Sequence, residues 1–255
     1  MGSTSDMNST QVPNSVLITG GNRGIGLAIV KEFLKVSPRR TRIFATYRNP
    51  QTSQELISLT QEYDSLTALQ FDIEDFDSYK TFGVRIQNEL GDSGLDMLIN
   101  NAGIHPEDGR TLRDLTPSTM LLTYKVNCVG PTLLTRELLP LLSKGSHPNP
   151  SQKAVVVQMS SHLGSISENE HFGCYSYCCS KSALNMSMIL LNDDVQKEGV
   201  TIMSLHPGWI KSDMGGPRAL LELSEAVPQI MHTILQLSSK DRGAFLNYAN
   251  EALRW

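Results

Sequence analysis

The stretch Val16-Leu17-Ile18-Thr19-Gly20-Gly21-Asn22-Arg23-Gly24-Ile25-Gly26 decides the reading of this chain. Three apolar residues in a row fit a strand buried on both faces. A glycine-rich turn follows at once. Leu27 to Val36 then carries apolar residues at helical spacing, with Leu27, Val30, Phe33 and Leu34 on one side. Between a buried strand and an amphipathic helix, glycines let the backbone approach a pyrophosphate, which sits at the positive N-terminal end of the helix. The stretch therefore predicts a dinucleotide site contributed by Gly20, Asn22, Arg23, Gly24, Ile25 and Gly26.

Working outward, the same alternation continues to the end of the chain. Arg42 to Tyr47 reads as a second strand, Ser53 to Glu62 as a helix, Leu66 to Phe71 as a third strand and Asp75 to Leu90 as a helix. Leu95 to Ile99 is read as a fourth strand, Asp114 to Leu142 as a largely helical segment broken at Gly130-Pro131, and Ala154 to Gln158 as a fifth strand. Cys174 to Glu198 reads as a helix and Val200 to Leu205 as a sixth strand. An irregular segment from Trp209 to Ala226 suits a lid, and a helix from Val227 to Ser238 and a short strand from Ala244 to Asn247 follow. Ser143 to Ser151 reads as a surface loop. This pattern predicts an α/β fold: one Rossmann-like, doubly wound parallel sheet of about seven strands with helices on both faces. It forms a single domain over 14–255, after a flexible tail over 1–13.

Ligands of open parallel sheets bind outside the carboxyl ends of the strands. The residues just after each strand are accordingly candidates. No Asp or Glu lies between Thr41 and Gln54, where a ribose 2′-hydroxyl would need an acceptor. Arg48 stands there instead, with Arg23 in the glycine turn. Two converging guanidiniums suit a 2′-phosphate and point to NADP(H); the alternative is that both are solvated surface residues. Asp72, followed by Ile73, either meets an adenine amino group or caps the next helix. Asn101, Ala102 and Gly103 offer small residues against which a cofactor can lie.

Tyr177 and Lys181 stand four apart on a helix, which places phenol and ammonium on one face. An ammonium beside a phenol favours the phenolate and lowers a pKa that starts near ~10. Such a tyrosine can pass a proton to or from a carbonyl or alcohol oxygen.

The composition is that of an ordinary globular protein, with 255 residues, 40% hydrophobic and 19% charged. A net charge of −4 argues against nucleic acid or an anionic membrane surface as partner. The four cysteines have neither zinc-type nor secreted spacing, and the six histidines are scattered, so no metal is expected. No apolar run is long enough to span a bilayer, and the first residues do not read as a signal peptide. A cytoplasmic location is expected.

Taken together, Thr19-Gly-x-x-x-Gly-x-Gly26, Asn100-Asn-Ala-Gly103, Tyr177-x-x-x-Lys181 and Pro207-Gly208 resemble the short-chain dehydrogenase/reductase family, in its order and over essentially the whole chain after Pro13. Within it, Met159-Ser-Ser-His-Leu-Gly-Ser-Ile166 and Leu205-His-Pro-Gly-Trp-Ile-Lys-Ser-Asp-Met-Gly-Gly216 are similar to the sniffer-type, NADPH-dependent carbonyl reductases. The resemblance implies that Tyr177 protonates a carbonyl oxygen as hydride arrives, and that Lys181 lowers its pKa and holds ribose hydroxyls. It implies that Asn127 positions a water and that Ser161, with Ser160 as rival, hydrogen-bonds the substrate oxygen. It places Asn101 near the adenosine ribose and Ile210 and Ser212 near the carboxamide, with Pro207 and Gly208 also cofactor-binding. Aldehydes, ketones and quinones are the implied substrates; a dedicated dehydrogenase for one metabolite and a non-catalytic NADP(H) binder are the alternatives. Surplus apolar residues on the helices at 114–142 and 174–198 imply a homodimer.

Overall fold

The computed structural model describes residues 12–148, 152–168 and 173–255. Residues 1–11 of the expected tail and residues 149–151 of the expected loop lie outside the described residues. Seven strands form one sheet, and every pairing in it is parallel. They are β1 (Ser15–Ile18), β2 (Arg42–Tyr47), β3 (Leu66–Gln70), β4 (Met97–Asn100), β5 (Ala154–Met159), β6 (Val200–His206) and β7 (Phe245–Asn247). The helices between them are α1 (Gly24–Val36), α2 (Gln54–Glu62), α3 (Tyr79–Leu90), α4 (Pro117–Tyr124), α5 (Gly130–Leu142), α6 (Tyr175–Val195) and α7 (Leu223–Gln236).

The strand order is β3-β2-β1-β4-β5-β6-β7. The chain builds outward from β1 to β3, then crosses back to lay β4 against the other side of β1. The order reverses between β1 and β4, and at such a switch point the connections leave in opposite directions and open a crevice. The glycine turn ends β1 and the Asn-Asn-Ala-Gly turn ends β4, so topology alone brings the two turns together.

Every residue of β1, β4 and β5 is buried, which is why these strands read as unbroken apolar runs. Val16, Ile18, Ile99 and Val157 face a core shared with Val30 and Phe33 of α1 and Ile230 of α7. Leu17, Leu98, Val156 and Ile202 face the opposite core, shared with Phe82, Leu138 and Met188. Alternate residues of each strand thus feed two layers.

Several boundaries differ from the sequence reading; α3, for one, starts at Tyr79 rather than Asp75, after a short 3-10 turn at Phe76–Ser78. β4 starts at Met97, because the Asp96 carboxylate is a junction that accepts the backbone N–H groups of Asn14 and Ser146, both at 2.8 Å. The helical segment after Thr116 is not broken at Gly130-Pro131. It passes through a π-helical turn, Lys125–Val129, and continues as α5 with Pro131 as its second residue. Helix α7 begins four residues early because Glu222 and Glu225 form a reciprocal cap, which shortens the expected lid to 209–222. The Ser143–Ser151 connection is less superficial than expected, since Gly145 and His147 are buried. Among the described residues no helix is long and apolar enough to cross a membrane.

Candidate active site

The glycine turn is held by contacts that exclude larger residues. Gly20 has φ +64°, a left-handed conformation, and a Cβ there would lie 3.1 Å from the Ala102 Cα. At Gly26 a Cβ would meet the Gly20 carbonyl oxygen at 2.2 Å and the Asn101 Nδ2 at 2.5 Å. The turn after β4 is stitched to it: Thr19 Oγ1 accepts the backbone N–H groups of Asn101 and Ala102, both at 3.0 Å. Asn101 Nδ2 donates to the Thr19 and Gly20 carbonyls. The side chain expected beside a ribose is thus also the clasp between the two turns. No side chain caps α1 and no acidic residue lies in its first turn, so its positive end suits an anion such as a pyrophosphate.

The two arginines expected at the far end of the site are each engaged by a carboxylate. Arg23 Nη1 lies 2.7 Å from Asp213 Oδ2, and Arg48 Nη1 lies 3.2 Å from Glu74 Oε1. Both guanidiniums are well exposed, so each pair is weak, about 0–1 kcal/mol, and a phosphate can compete for it. Asp72 Oδ1 accepts the Glu74 backbone N–H at 3.0 Å, so its carboxylate closes a local turn. Ile73 is buried against Gly130, and its carbonyl accepts the Tyr79 hydroxyl at 2.7 Å. A cavity of about 440 Å³ opens here, with Arg48, Gln70, Asp72, Asp75 and Arg85 in its wall.

At the other end, Tyr177, Ser161, Lys181 and Asn127 come together. The Ser161 hydroxyl acts on the Tyr177 phenol, favouring its ionised form, and accepts the Leu163 N–H at 3.2 Å. Its rival Ser160 is turned away, donating to Asn185 Oδ1 at 2.7 Å. Asn127, fully buried on the π turn, uses its amide on another segment: Oδ1 accepts from Ile104 N and Nδ2 donates to Ile104 O, both at 2.8 Å. A Cβ on Gly103 would lie 3.1 Å from Asn127 Oδ1 and 3.7 Å from Lys181 Nζ, so glycine there leaves room for both groups.

The electrostatics differ from the sequence expectation. Burial pushes the Tyr177 phenol up to about 12, opposed by the Ser161 hydrogen bond, and the neighbouring thiols Cys178 and Cys174 add to the rise. Lys181 is engaged elsewhere. Its ammonium donates to the Met159 carbonyl at 2.7 Å and lies 5.7 Å from the tyrosine ring centre. Burial brings the lysine itself down to about 8. In this arrangement desolvation dominates both groups.

On the remaining side, Pro207 and Gly208 turn the chain out of β6. Ile210 is buried and bridges to Leu221, and Ser212 Oγ accepts the Gly215 N–H at 3.1 Å. Asn22 Nδ2 donates to the Thr52 carbonyl at 3.3 Å, and Ile25 packs on the core under the glycine turn. Sequence reasoning passed over two histidine features. His105 stacks on Tyr177, with ring centres 4.3 Å apart and planes 27° from parallel. His162, next to Ser161, lies with Nδ1 3.2 Å from His206 Nε2. His105 lies in no motif and only its position just after the β4 turn pointed to it, whereas His162 and His206 fall inside the quoted Met159–Ile166 and Leu205–Gly216 stretches.

A parallel sheet with this strand order, a glycine turn at its switch point and a buried tyrosine-serine pair beside it define a nucleotide-dependent oxidoreductase architecture. The model of the short chain dehydrogenase family matches residues 14–220, and the chain belongs to that family. It is 39% identical to the carbonyl reductase Sniffer of D. melanogaster, with a TM-score of 0.90 covering 96% of this chain and 100% of that one. A similar likeness holds to an NADPH-bound carbonyl reductase from chicken fatty liver, at 36% identity and TM-score 0.89 over 95% and 99% of the two chains. In sequence it is also 32% identical, over 84% of this chain and 80% of the relative, to an uncharacterized oxidoreductase of Schizosaccharomyces pombe.

Proposed function

We propose that this protein is an NADPH-dependent carbonyl reductase that converts aldehydes, ketones and quinones to alcohols or hydroquinones, acting through one domain spanning 14–255. The observation that carries the reading is the gathering of buried Tyr177, Ser161, Lys181 and Asn127 beside Gly103 and the glycine turn. NADPH, when bound, supplies the hydride. The chain's own residues supply the proton and the stabilisation of charge.

Tyr177 holds its proton firmly at neutral pH, which is the state an acid needs. As negative charge builds on the carbonyl oxygen, that oxygen becomes more basic than a phenolate and takes the proton. Ser161 donates to the same oxygen and stabilises the developing charge. Lys181 would hold ribose hydroxyls and Asn127 a water that returns the proton from solvent. Arg23 and Arg48 would hold the 2′-phosphate in exchange for Asp213 and Glu74; Gly20, Asn22 and Gly24 to Gly26 would hold the pyrophosphate, Asp72, Ile73 and Asn101 the adenosine side, and Pro207, Gly208, Ile210 and Ser212 the nicotinamide side. Similarity to two carbonyl reductases, one of them NADPH-bound, supports this reading.

The test follows consumption of NADPH, and separately NADH, with a panel of quinones, dicarbonyls and aldehydes. Broad turnover with NADPH well above NADH is expected. Turnover of a single metabolite would favour a dedicated dehydrogenase, and preference for NADH would remove the role given to the arginines.

A further inference from the structure

His105 belongs to no motif, yet it occupies a singular place. Its ring lies against the Tyr177 ring, centres 4.3 Å apart. Its position is fixed from behind, because the Asn127 amide grips both the N–H and the carbonyl of Ile104, the preceding residue. Its Nε2 is buried and has no hydrogen-bond partner among the described residues. A buried polar atom left unpaired costs about 1–3 kcal/mol, so an orphan nitrogen beside the reacting tyrosine calls for a ligand atom. Glu107 is the one acidic group acting on the ring; Arg110 and Lys181 act on it from the cationic side, and burial joins them in keeping the imidazole neutral. A neutral imidazole offers one donor and one acceptor, which suits a carbonyl or a hydroxyl better than a carboxylate.

We propose that His105 is a specificity-determining residue that hydrogen-bonds a second oxygen, on the carbon next to the carbonyl that Tyr177 protonates. A nitrogen on a ring stacked against the tyrosine, centres 4.3 Å apart, suits a second oxygen one carbon away from the first. The favoured substrates are vicinal dicarbonyls, ortho-quinones and α-hydroxyketones over carbonyl compounds with an isolated oxygen. This rests on the carbonyl reductase reading above and adds the selection of substrates within it.

The experiment compares ortho- and para-naphthoquinone, isomers of one ring system, as substrates of the wild type and of His105→Phe and His105→Gln. Phenylalanine keeps the stacked ring and deletes the nitrogens; glutamine restores a polar atom. Binding of NADPH, followed by its fluorescence, checks that each variant is folded. The ratio of kcat/KM for the ortho isomer to that for the para isomer is expected to fall about tenfold in His105→Phe, mainly through KM of the ortho isomer, and to recover in part in His105→Gln. Should the phenylalanine variant not fold, His105→Ala is read by the same ratio. A ratio within about twofold of the wild type would overturn the proposal. So would an equal loss on both isomers, which marks a purely structural ring. If the wild type reduces neither isomer nor any other carbonyl compound, the carbonyl reductase reading itself fails and takes the role of His105 with it.

Discussion

Tyr177 is a buried phenol whose pKa is raised to about 12, and this has a directional consequence. Its proton-bearing form dominates at neutral pH, which is the state the proposed reduction draws on. His206 gives a second consequence of burial. Desolvation and the adjacent His162 lower its pKa from 6.5 to about 3, so the unfolded chain binds a proton in that window that the folded chain refuses. The stability this group contributes is present above the unfolded value and is lost as pH falls from 6.5 towards 3. Thermal unfolding followed by circular dichroism between neutral pH and the acid side is expected to give a shallower fall in Tm for His206→Gln than for the wild type. Equal slopes would contradict this. At this scale the sequence was only partly legible. The i,i+4 pairing of Tyr177 with Lys181 showed which groups share a helix face, but not that the ammonium is spent on the Met159 carbonyl. The stacking of His105 depends on a contact across 72 positions of chain, and no local pattern encodes it.

Among the elements, the turn from β1 into α1 is the most constrained. Gly26 has the Gly20 carbonyl and the Asn101 amide where a side chain would go. Gly26→Ala is expected to push these apart, with a loss of about 1–3 kcal/mol in stability and a clear weakening of NADPH binding, read by denaturant unfolding and fluorescence titration. An unchanged midpoint and unchanged binding would show that the turn yields more easily than its packing implies. This element was readable because strand, glycine turn and helix are contiguous and each has its own pattern. The π turn at Lys125–Val129 was not, since it has the same apolar spacing as the helices on either side. What fixes it is the Asn127 amide reaching Ile104, a tertiary contact. The start of α7 was misread because the Glu222–Glu225 cap sets it four residues upstream of Val227.

For the whole molecule, the alternation of strands and helices was enough to give the sheet, and the position of the site then follows from the order reversal between β1 and β4. The outer surface carries a further expectation. Leu121 and Tyr124 of α4 and Met186 and Leu190 of α6 are exposed apolar side chains on two helices that pack side by side. We propose that two copies pair through these helices. Light scattering after size exclusion is expected to give a dimer that Leu121→Glu with Leu190→Glu dissociates; a monomeric wild type would refute the pairing. The −4 charge keeps weight on small-molecule chemistry rather than on polyanions.

The most direct test of the central claim is turnover of Tyr177→Phe with NADPH and a reactive carbonyl compound, alongside a fluorescence titration showing that the variant still binds NADPH. The phenyl ring preserves the packing and removes only the transferable proton. A fall in kcat of about a hundredfold or more, with NADPH affinity kept, is the predicted result. Turnover within a few-fold of the wild type would contradict the account, because the proton would then have to come from elsewhere.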